Sequence, residues 1–250
     1  MTTFGLEFEV AGISTSAASA ALNRGGIECI EPRSQHQLHD AWSSVYDGSV
    51  RGAEVVSPIL DEVRLNEAST VSRLLLGAGG KVDRTTGFHV HIGARGVLDT
   101  NTIANWYINW NLVHDAIGAL VAPSRLNNSY CKAVNREHAE ANAERIRNGN
   151  ISDIRGDRYQ SFNLQAFDRH GTLEIRLHQG TLNGTKAIAW AKFIDAFKQL
   201  SATQLLNLDQ LGTGDRLAKC GNLINILVLS GNLDLKTGEY LKERATNLQG

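Results

Sequence analysis

The sequence is poor in cysteine and proline and has no long hydrophobic run. Its 250 residues include 3 prolines and 3 cysteines, and the cysteines stand far apart at positions 29, 131 and 220. This spacing provides neither a CxxC zinc motif nor a disulfide framework, which favours a reducing, cytoplasmic environment. Apolar runs such as residues 226–229 are too short to cross a bilayer, so we expect no membrane partner. The first residues lead directly into an acidic, strand-like segment, and we expect no signal peptide.

An excess of charge of one sign is also absent. Lys and Arg total 25 and Asp and Glu total 26, so the formal net charge is -1. Proteins that bind duplex nucleic acid through bulk electrostatics normally have a basic excess, so we expect no direct duplex binding. Hydrophobic residues make up 42% and charged residues 20%, which is typical of an ordered globular protein. Because no repeat or linker divides the chain, we expect a single domain over residues 1–250.

The signatures of several common enzyme classes are missing. The sequence contains no GxSxG, HExxH or CxxC motif. The glycine-rich residues 77–81 lack the spacing of a Walker A loop, and residues 212–214 do not continue to a third glycine. These absences argue against P-loop, Rossmann and serine-hydrolase chemistry.

Hydrophobic periodicity predicts an α+β fold. Residues 4–10 alternate between apolar and acidic side chains, which is the period-two pattern of a strand. Further strands are predicted at residues 54–59, 88–92, 161–164 and 172–178. Helices are predicted at residues 14–23, 61–76, 102–121, 186–205 and 215–229, and residues 131–156 are expected to form an exposed helix or a lid. We therefore expect a mainly antiparallel sheet with helices on one face.

Three of the predicted strands carry titratable side chains on one face. Residues two apart share a face of a strand, which groups Glu7 with Glu9, His89 with His91, and Glu174 with Arg176 and His178. One such pair is typical of a solvent-exposed sheet face, but neighbouring carboxylates repel each other unless a cation compensates. Repetition on three strands therefore favours a divalent-metal site. Carboxylates with a single histidine suit Mg²⁺ or Mn²⁺ better than Zn²⁺.

A series of short motifs resembles the amidoligase family. The motifs are Gly5-Leu6-Glu7-Phe8-Glu9-Val10, Asp47-Gly48-Ser49, Gly52 to Pro58, Gly87 to Ile92, Arg125 with Tyr130-Cys131, Arg158-Tyr159 with Asn163, and Gly171 to Arg176 with Gly180-Thr181-Leu182. Their order and spacing hold over residues 5–190. The resemblance implies a glutamine synthetase-like fold, in which a curved, mainly antiparallel sheet has helices on its convex face and the active site on its concave face. Residues 191–250 would complete the helical layer.

Amidoligases are ATP-dependent carboxylate–amine ligases, and the resemblance implies that activity here. A carboxylate attacks the γ-phosphate of ATP, and an amine then displaces phosphate from the acyl phosphate to form an amide. Mg²⁺ or Mn²⁺ would bridge the phosphate oxygens. The implied metal ligands are Glu7, His89 and Glu174 on the nucleotide side, and Glu9 and Glu54 on the substrate side.

The remaining roles implied by the resemblance concern phosphate and protons. Arg176, with Arg158 as a second candidate, would neutralise charge on the transferred phosphoryl group, since a guanidinium fork suits phosphate. His91 would contact phosphate or substrate, and Arg125 would bind nucleotide or form a structural ion pair. Asp47 is a further candidate ligand or the base that accepts the proton of the amine.

Two other functions remain open from the sequence. One is a non-catalytic binding module that retains the fold, although the complete set of metal ligands argues against loss of activity. The other is a metal-dependent hydrolase built from the same acids and histidines. A ligase needs Mg²⁺ or Mn²⁺ together with ATP, whereas a hydrolase works with the metal alone. The motifs do not identify the carboxylate or the amine.

Overall fold

The computed structural model describes residues 1–32, 39–48, 51–154 and 158–249. Ser49 of the second motif and the last two positions of the 131–156 segment lie outside these residues. The chain divides into two compact units: unit 1 contains Met1–Gly93 and His178–Ala191, and unit 2 contains Ala94–Leu177 and Lys192–Gly250. The single domain over residues 1–250 stays a prediction.

Unit 1 contains five neighbouring strands of one sheet. They are β1 (Phe4–Ala11), β2 (Cys29–Ile30), β3 (Trp42–Val45), β4 (Gly52–Val56) and β5 (Gly87–Gly93). Their order is β2-β3-β4-β1-β5. The pairs that involve β1 and the β3–β4 pair are antiparallel, and the short β2–β3 pair is parallel. The prediction of a mainly antiparallel sheet is confirmed for these strands.

Strand β1 has the predicted alternation. Leu6, Phe8 and Val10 are buried on one face, and the Phe8 ring centroid lies 4.7 Å from Phe88 and 6.2 Å from Trp42. These contacts form the aromatic core of unit 1. Because the apolar side chains take one face, the acidic side chains of the same strand are directed to the other.

Unit 1 also contains two helices that connect its strands. Helix α1 (Thr15–Arg24) begins where predicted, since the Ser14 hydroxyl accepts a hydrogen bond from the N–H of Ala17. Helix α2 (Glu67–Gly77) begins six residues later than predicted. Residues 61–66 form a turn with a short 3₁₀ helix instead, in which the Asp61 carboxylate accepts the N–H of Arg64.

Unit 2 is mainly helical. Its helices are α3 (Thr100–Leu112), α4 (His114–Ile117), α5 (Pro123–Leu126), α6 (Arg136–Arg147), α7 (Ala166–His170), α9 (Arg216–Leu229) and α10 (Leu235–Gln249). Strand β6 (Phe162–Asn163) pairs antiparallel with β7 (Thr172–Gln179). Strand β7 and helix α8 (Gly184–Thr203) each contribute residues to both units. The α+β class is confirmed.

The core of unit 2 is built around Phe162. Its ring centroid lies 4.8 Å from Trp106, 5.3 Å from Tyr107 and 6.2 Å from Trp110. These three side chains come from α3, so the helix is fixed by aromatic packing against β6. The single helix predicted over residues 102–121 is interrupted at Val113, which leaves helical geometry with φ -102° and ψ 12°.

Helix α6 is anchored along one side. Ala139, Ala143 and Ile146 are buried, the Asn142 amide donates to the Tyr107 hydroxyl, and the Arg147 guanidinium donates to the Asn105 side chain. The expected exposed helix is therefore an amphipathic helix packed on α3. No helix in the described part of the chain is long and apolar enough to cross a membrane.

The prediction for the last part of β7 is wrong at His178. His178, expected beside Glu174 and Arg176 on a polar face, is fully buried in unit 1, where its ring centroid lies 5.9 Å from Phe88 and 5.2 Å from Trp190. Its Nδ1 lies 2.6 Å from the Gln179 carbonyl oxygen, which can only accept, so Nδ1 donates. With this bond made, the imidazole packs as an aromatic ring.

Candidate functional site

The polar face of the unit 1 sheet brings together acids and histidines from three adjacent strands. In the β1–β5 register Glu7 lies opposite His89, and in the β1–β4 register Glu9 lies opposite Glu54. Directly opposed residues on antiparallel strands have Cβ atoms only about 5 Å apart. Sheet register therefore places four of the predicted metal ligands next to one another.

Glu7 is held between two imidazoles. Its Oε2 lies 3.0 Å from Nδ1 of His89 and its Oε1 lies 3.0 Å from Nε2 of His91. Burial alone would raise the pKa of Glu7, but the positive charge available on His91 and the hydrogen bonds from both histidines outweigh burial and lower this pKa well below its usual value. Glu7 is consequently a carboxylate at neutral pH, which is the form that can bind a cation.

Glu9 is more deeply buried and is fixed by the backbone of β5. Its Oε2 accepts the N–H of Gly87, and its Oε1 lies 3.6 Å from Nε2 of His89. The two ring nitrogens of His89 therefore face different glutamates. A Cβ atom on Gly87 would lie 2.7 Å from Nε2 of His89 and 3.3 Å from Oε2 of Glu9. The absence of a side chain at Gly87 thus leaves room for this pair.

Within unit 1, two groups of three side chains could each hold a cation. Ligand atoms of Glu7, Glu54 and His89 lie within 4.8 Å of one another, and so do those of Glu9, Asp47 and Glu54. Both groups share Glu54, whose strand neighbour across the β3–β4 pair is Val45, two residues before Asp47. Oxygen ligands with one imidazole fit Mg²⁺ or Mn²⁺, and the crowding of four carboxylates is favourable once a cation neutralises them.

Two of the predicted residues of unit 2, Glu174 and Arg176, form a second polar cluster with Asn163. Nη1 of Arg176 donates to Oε1 of Glu174 at 2.5 Å, and Nδ2 of Asn163 donates to Oε2 of Glu174 at 2.6 Å. Glu174 and Asn163 are buried and lie directly opposite each other in the β6–β7 pair. Both carboxylate oxygens of Glu174 are thereby engaged by donors of its own unit.

The two other predicted arginines have different surroundings. Arg125 is buried, and its guanidinium donates to the backbone carbonyls of Arg176 at 2.8 Å and Leu177 at 3.2 Å. Arg158 is exposed and lies over the Tyr159 ring at 5.0 Å from its centroid. Arg125 therefore braces the main chain of β7, while Arg158 lies on the surface of unit 2. Their predicted phosphate contacts stay predictions.

The glycine-rich residues 77–81 do not form a phosphate loop. The N–H groups of Ala78, Gly79 and Gly80 donate to main-chain carbonyls at the end of α2, and the N–H of Lys81 donates to Ala11. These donors are used within the fold, in agreement with the missing Walker A spacing.

Sequence reasoning missed the contributions of Gly87 and Asn163. The motif containing Gly87 was recognised, but the need for a glycine follows only from the positions of the His89 and Glu9 side chains. Asn163 was recognised only as part of a motif and was given no role. A signal was available, because Asn163 lies between Phe162 and Leu164 in a predicted strand, and a polar side chain that becomes buried needs a hydrogen-bond partner.

The α+β chain therefore has, in unit 1, two carboxylate-rich groups that could each hold a metal ion, and one of them includes a histidine. A family model described as "putative amidoligase enzyme" matches residues 1–198. The chain belongs to this amidoligase family and is a ligase-type enzyme, as its motifs indicated; enzymes of this kind generally use ATP and act on small molecules. A search of curated proteins finds no match.

Proposed function

We propose that the protein is an ATP-dependent ligase that joins a carboxylate to an amine through an acyl phosphate. The observation that carries this proposal is the pair of ligand groups that share Glu54 in a chain of the amidoligase family. Two cation positions side by side suit transfer of a phosphoryl group, because charge must be compensated on both the nucleotide and the accepting carboxylate.

The proposed reaction has two steps. An oxygen of the substrate carboxylate forms a bond to the γ-phosphorus of ATP while the bond from phosphorus to the ADP oxygen breaks. The amine nitrogen then bonds to the acyl carbon, the carbon–oxygen bond to phosphate breaks, and the amine loses a proton. When bound, Mg²⁺ or Mn²⁺ would lower the electrostatic cost of bringing anions together.

Unit 1 supplies most of the proposed ligands. Glu7 and His89 hold the nucleotide-side cation, and Glu9, Glu54 and Asp47 hold the substrate-side cation. Glu54 also reaches the nucleotide-side group, so it would link the two positions. His89, with one ring nitrogen toward each of Glu7 and Glu9, keeps both carboxylates oriented.

The other roles rest on the family motifs. Glu174 completes the nucleotide-side ligand set, and Arg176, with Arg158 as the alternative, neutralises the transferred phosphoryl group. His91 contacts phosphate or substrate, Arg125 supports nucleotide binding, and Asp47 is the candidate acceptor of the amine proton. We place these residues in one catalytic domain over residues 1–250 with a curved, glutamine synthetase-like sheet, and three unpaired cysteines support a cytoplasmic location.

Calorimetry with a non-hydrolysable ATP analogue tests the nucleotide site. Heat of binding should appear with Mg²⁺ and vanish with EDTA. The affinity for the analogue should fall at least tenfold in Glu54→Gln, because this substitution affects both ligand groups. Glu62→Gln is the matched control, because Glu62 is an exposed carboxylate of the same unit. Equal affinity with Mg²⁺ and with EDTA would contradict the proposal. If binding does require Mg²⁺, the next measurement is release of ADP from ATP with pools of acids and amines. Release that depends on one pool of acids and one pool of amines would identify the substrate class.

A further inference from the structure

We infer that Asn163 is a positioning residue that orients Glu174. The inference deepens the proposed function and rests on the role of Glu174 as a metal ligand. Asn163 lies on β6 directly opposite Glu174 on β7, and both side chains are buried, with 6% and 4% of their surface exposed. The contact between them, Nδ2 to Oε2 at 2.6 Å, is at the short end of the usual range for a hydrogen bond to a charged acceptor.

The orientation of the Asn163 amide is determined by its two partners. Its Oδ1 accepts the backbone N–H of Gln165 at 2.9 Å, and a backbone N–H can only donate. The carboxylate of Glu174 can only accept, so the amide nitrogen must face it. Neither bond survives if the amide rotates by half a turn. The side chain is therefore locked in one orientation before any ligand binds.

The hydrogen bond from Asn163 helps to fix the orientation of the Glu174 carboxylate plane. Asn163 holds Oε2 of Glu174, and Arg176 holds Oε1 at 2.5 Å. Donors on both oxygens remove the free rotation about the last side-chain bond of Glu174, which otherwise populates a broad range of angles. A ligand oriented in advance binds a cation more tightly, and loss of such outer partners typically lowers metal affinity by about 10–100-fold.

Asparagine combines the features that this position needs. It supplies a donor without adding positive charge beside a ligand that must attract a cation. It also supplies the acceptor that the Gln165 N–H requires at the turn after β6. Aspartate has the same shape and keeps this acceptor, but it faces Glu174 with a second carboxylate oxygen. Asn163→Asp therefore removes the positioning bond and leaves the turn in place.

The test measures binding of Mn²⁺ alone to the full chain by electron paramagnetic resonance at constant pH. Asn163→Asp and Asn163→Ser should each weaken Mn²⁺ binding at least tenfold, while thermal unfolding of the metal-free proteins reports whether they fold. The serine variant is neutral, so a loss common to both variants comes from the missing amide donor. Asn135→Asp, which makes the same change at the residue that caps α6, is the matched control.

A double-mutant cycle separates this inference from the proposed function. If Asn163 acts through Glu174, Asn163→Ser should have no further effect on Mn²⁺ binding in a Glu174→Gln background. Additive losses, or parental affinity in folded Asn163→Ser, would overturn the positioning role. Parental Mn²⁺ affinity in Glu174→Gln itself would instead overturn the assignment of Glu174 as a ligand, and with it the premise of the inference.

Discussion

At the scale of single residues, the site depends on side chains that are small or neutral as much as on its acids. Gly87 is an example. The Glu9 carboxylate accepts the Gly87 N–H, and the space where a Cβ would stand is bordered by His89 and Glu9. A methyl group there must displace an imidazole that is 3% exposed and packed between two glutamates. Steric room at one backbone position therefore controls the geometry of three ligands.

Gly87→Ala should weaken Mn²⁺ binding at least tenfold, because the new methyl group pushes the His89 ring from its position. Gly77→Ala is the control, since a Cβ there meets nothing within 4 Å and alanine favours a helix. Titration of both variants with Mn²⁺ checks this expectation. Unchanged affinity in Gly87→Ala would mean that His89 does not need its present position to bind the cation.

The charge at position 176 gives a second prediction at this scale. Arg176→Lys should lower ATP turnover at least tenfold, because lysine keeps the charge but loses the planar fork that binds phosphate through two parallel hydrogen bonds. Arg158→Lys, tested in the same assay of ADP release, shows which arginine carries the role. Full activity in Arg176→Lys with a loss in Arg158→Lys would transfer the phosphate contact to Arg158.

At the scale of elements, β7 is held in place by a buried arginine from another segment. Arg125 lies in the last turn of the short helix α5, and its guanidinium donates to the carbonyls of Arg176 and Leu177. The Cys131 thiol in turn lies 3.2 Å from the Arg125 carbonyl oxygen. The motif residues Arg125 and Cys131 thus connect the loop around 125–131 to the strand that carries two of the proposed functional side chains.

Arg125→Met should lower the free energy of unfolding by about 2 kcal/mol, because two buried carbonyls lose a charged donor. Urea unfolding measures this change, with the exposed Arg145→Met on α6 as the control. If Arg125 instead contacts the nucleotide, Arg125→Met should weaken binding of the ATP analogue and leave the free energy of unfolding unchanged. That outcome would assign Arg125 to the nucleotide and not to β7.

The elements also show what a sequence can predict. Strands β1 and β5 were predicted to within two residues at each end, because their apolar and polar residues alternate without interruption. Strand β6 lies within the strand predicted at residues 161–164, whereas the two-residue strand β2 was not predicted, because pairing with a neighbour and not local sequence defines it. At His178 the alternation failed, because aromatic packing and one backbone hydrogen bond compensated for burial of an imidazole. The ligand types were predictable, but the contacts of Asn163 and Arg125 required the register of β7 and its loops.

At the scale of the whole molecule, one buried histidine makes folding stability depend on pH. His114 begins α4 and is 7% exposed, and its Nε2 has no hydrogen-bond partner among the described residues. Burial lowers its pKa to about 4; Asp115 opposes this shift and Arg216 adds to it. The folded protein therefore keeps this imidazole neutral at a pH where the unfolded chain takes up a proton.

The sign of the effect follows from proton binding. Between the unfolded pKa of about 6.5 and the folded value of about 4, the unfolded chain holds more protons, so stability falls as pH falls. From pH 7 to pH 5 the loss from this group should be about 2 kcal/mol. Urea unfolding of the parent protein and of His114→Leu isolates the effect. Between pH 7 and pH 5 the free energy of unfolding should fall by about 2 kcal/mol less in the variant than in the parent. Parallel pH dependence in the two proteins would show that His114 does not titrate in this way.

The three buried cysteines give the chain a built-in reporter of unfolding. Burial raises the pKa of Cys29 to about 11 and of Cys220 to about 12, and it also raises the pKa of Cys131. Thiolates, not thiols, react with disulfide reagents, so all three groups should stay unmodified while the protein is folded. A cysteine introduced on the surface would then be the single reactive thiol, and dyes or spin labels could be attached to it without replacing any native residue.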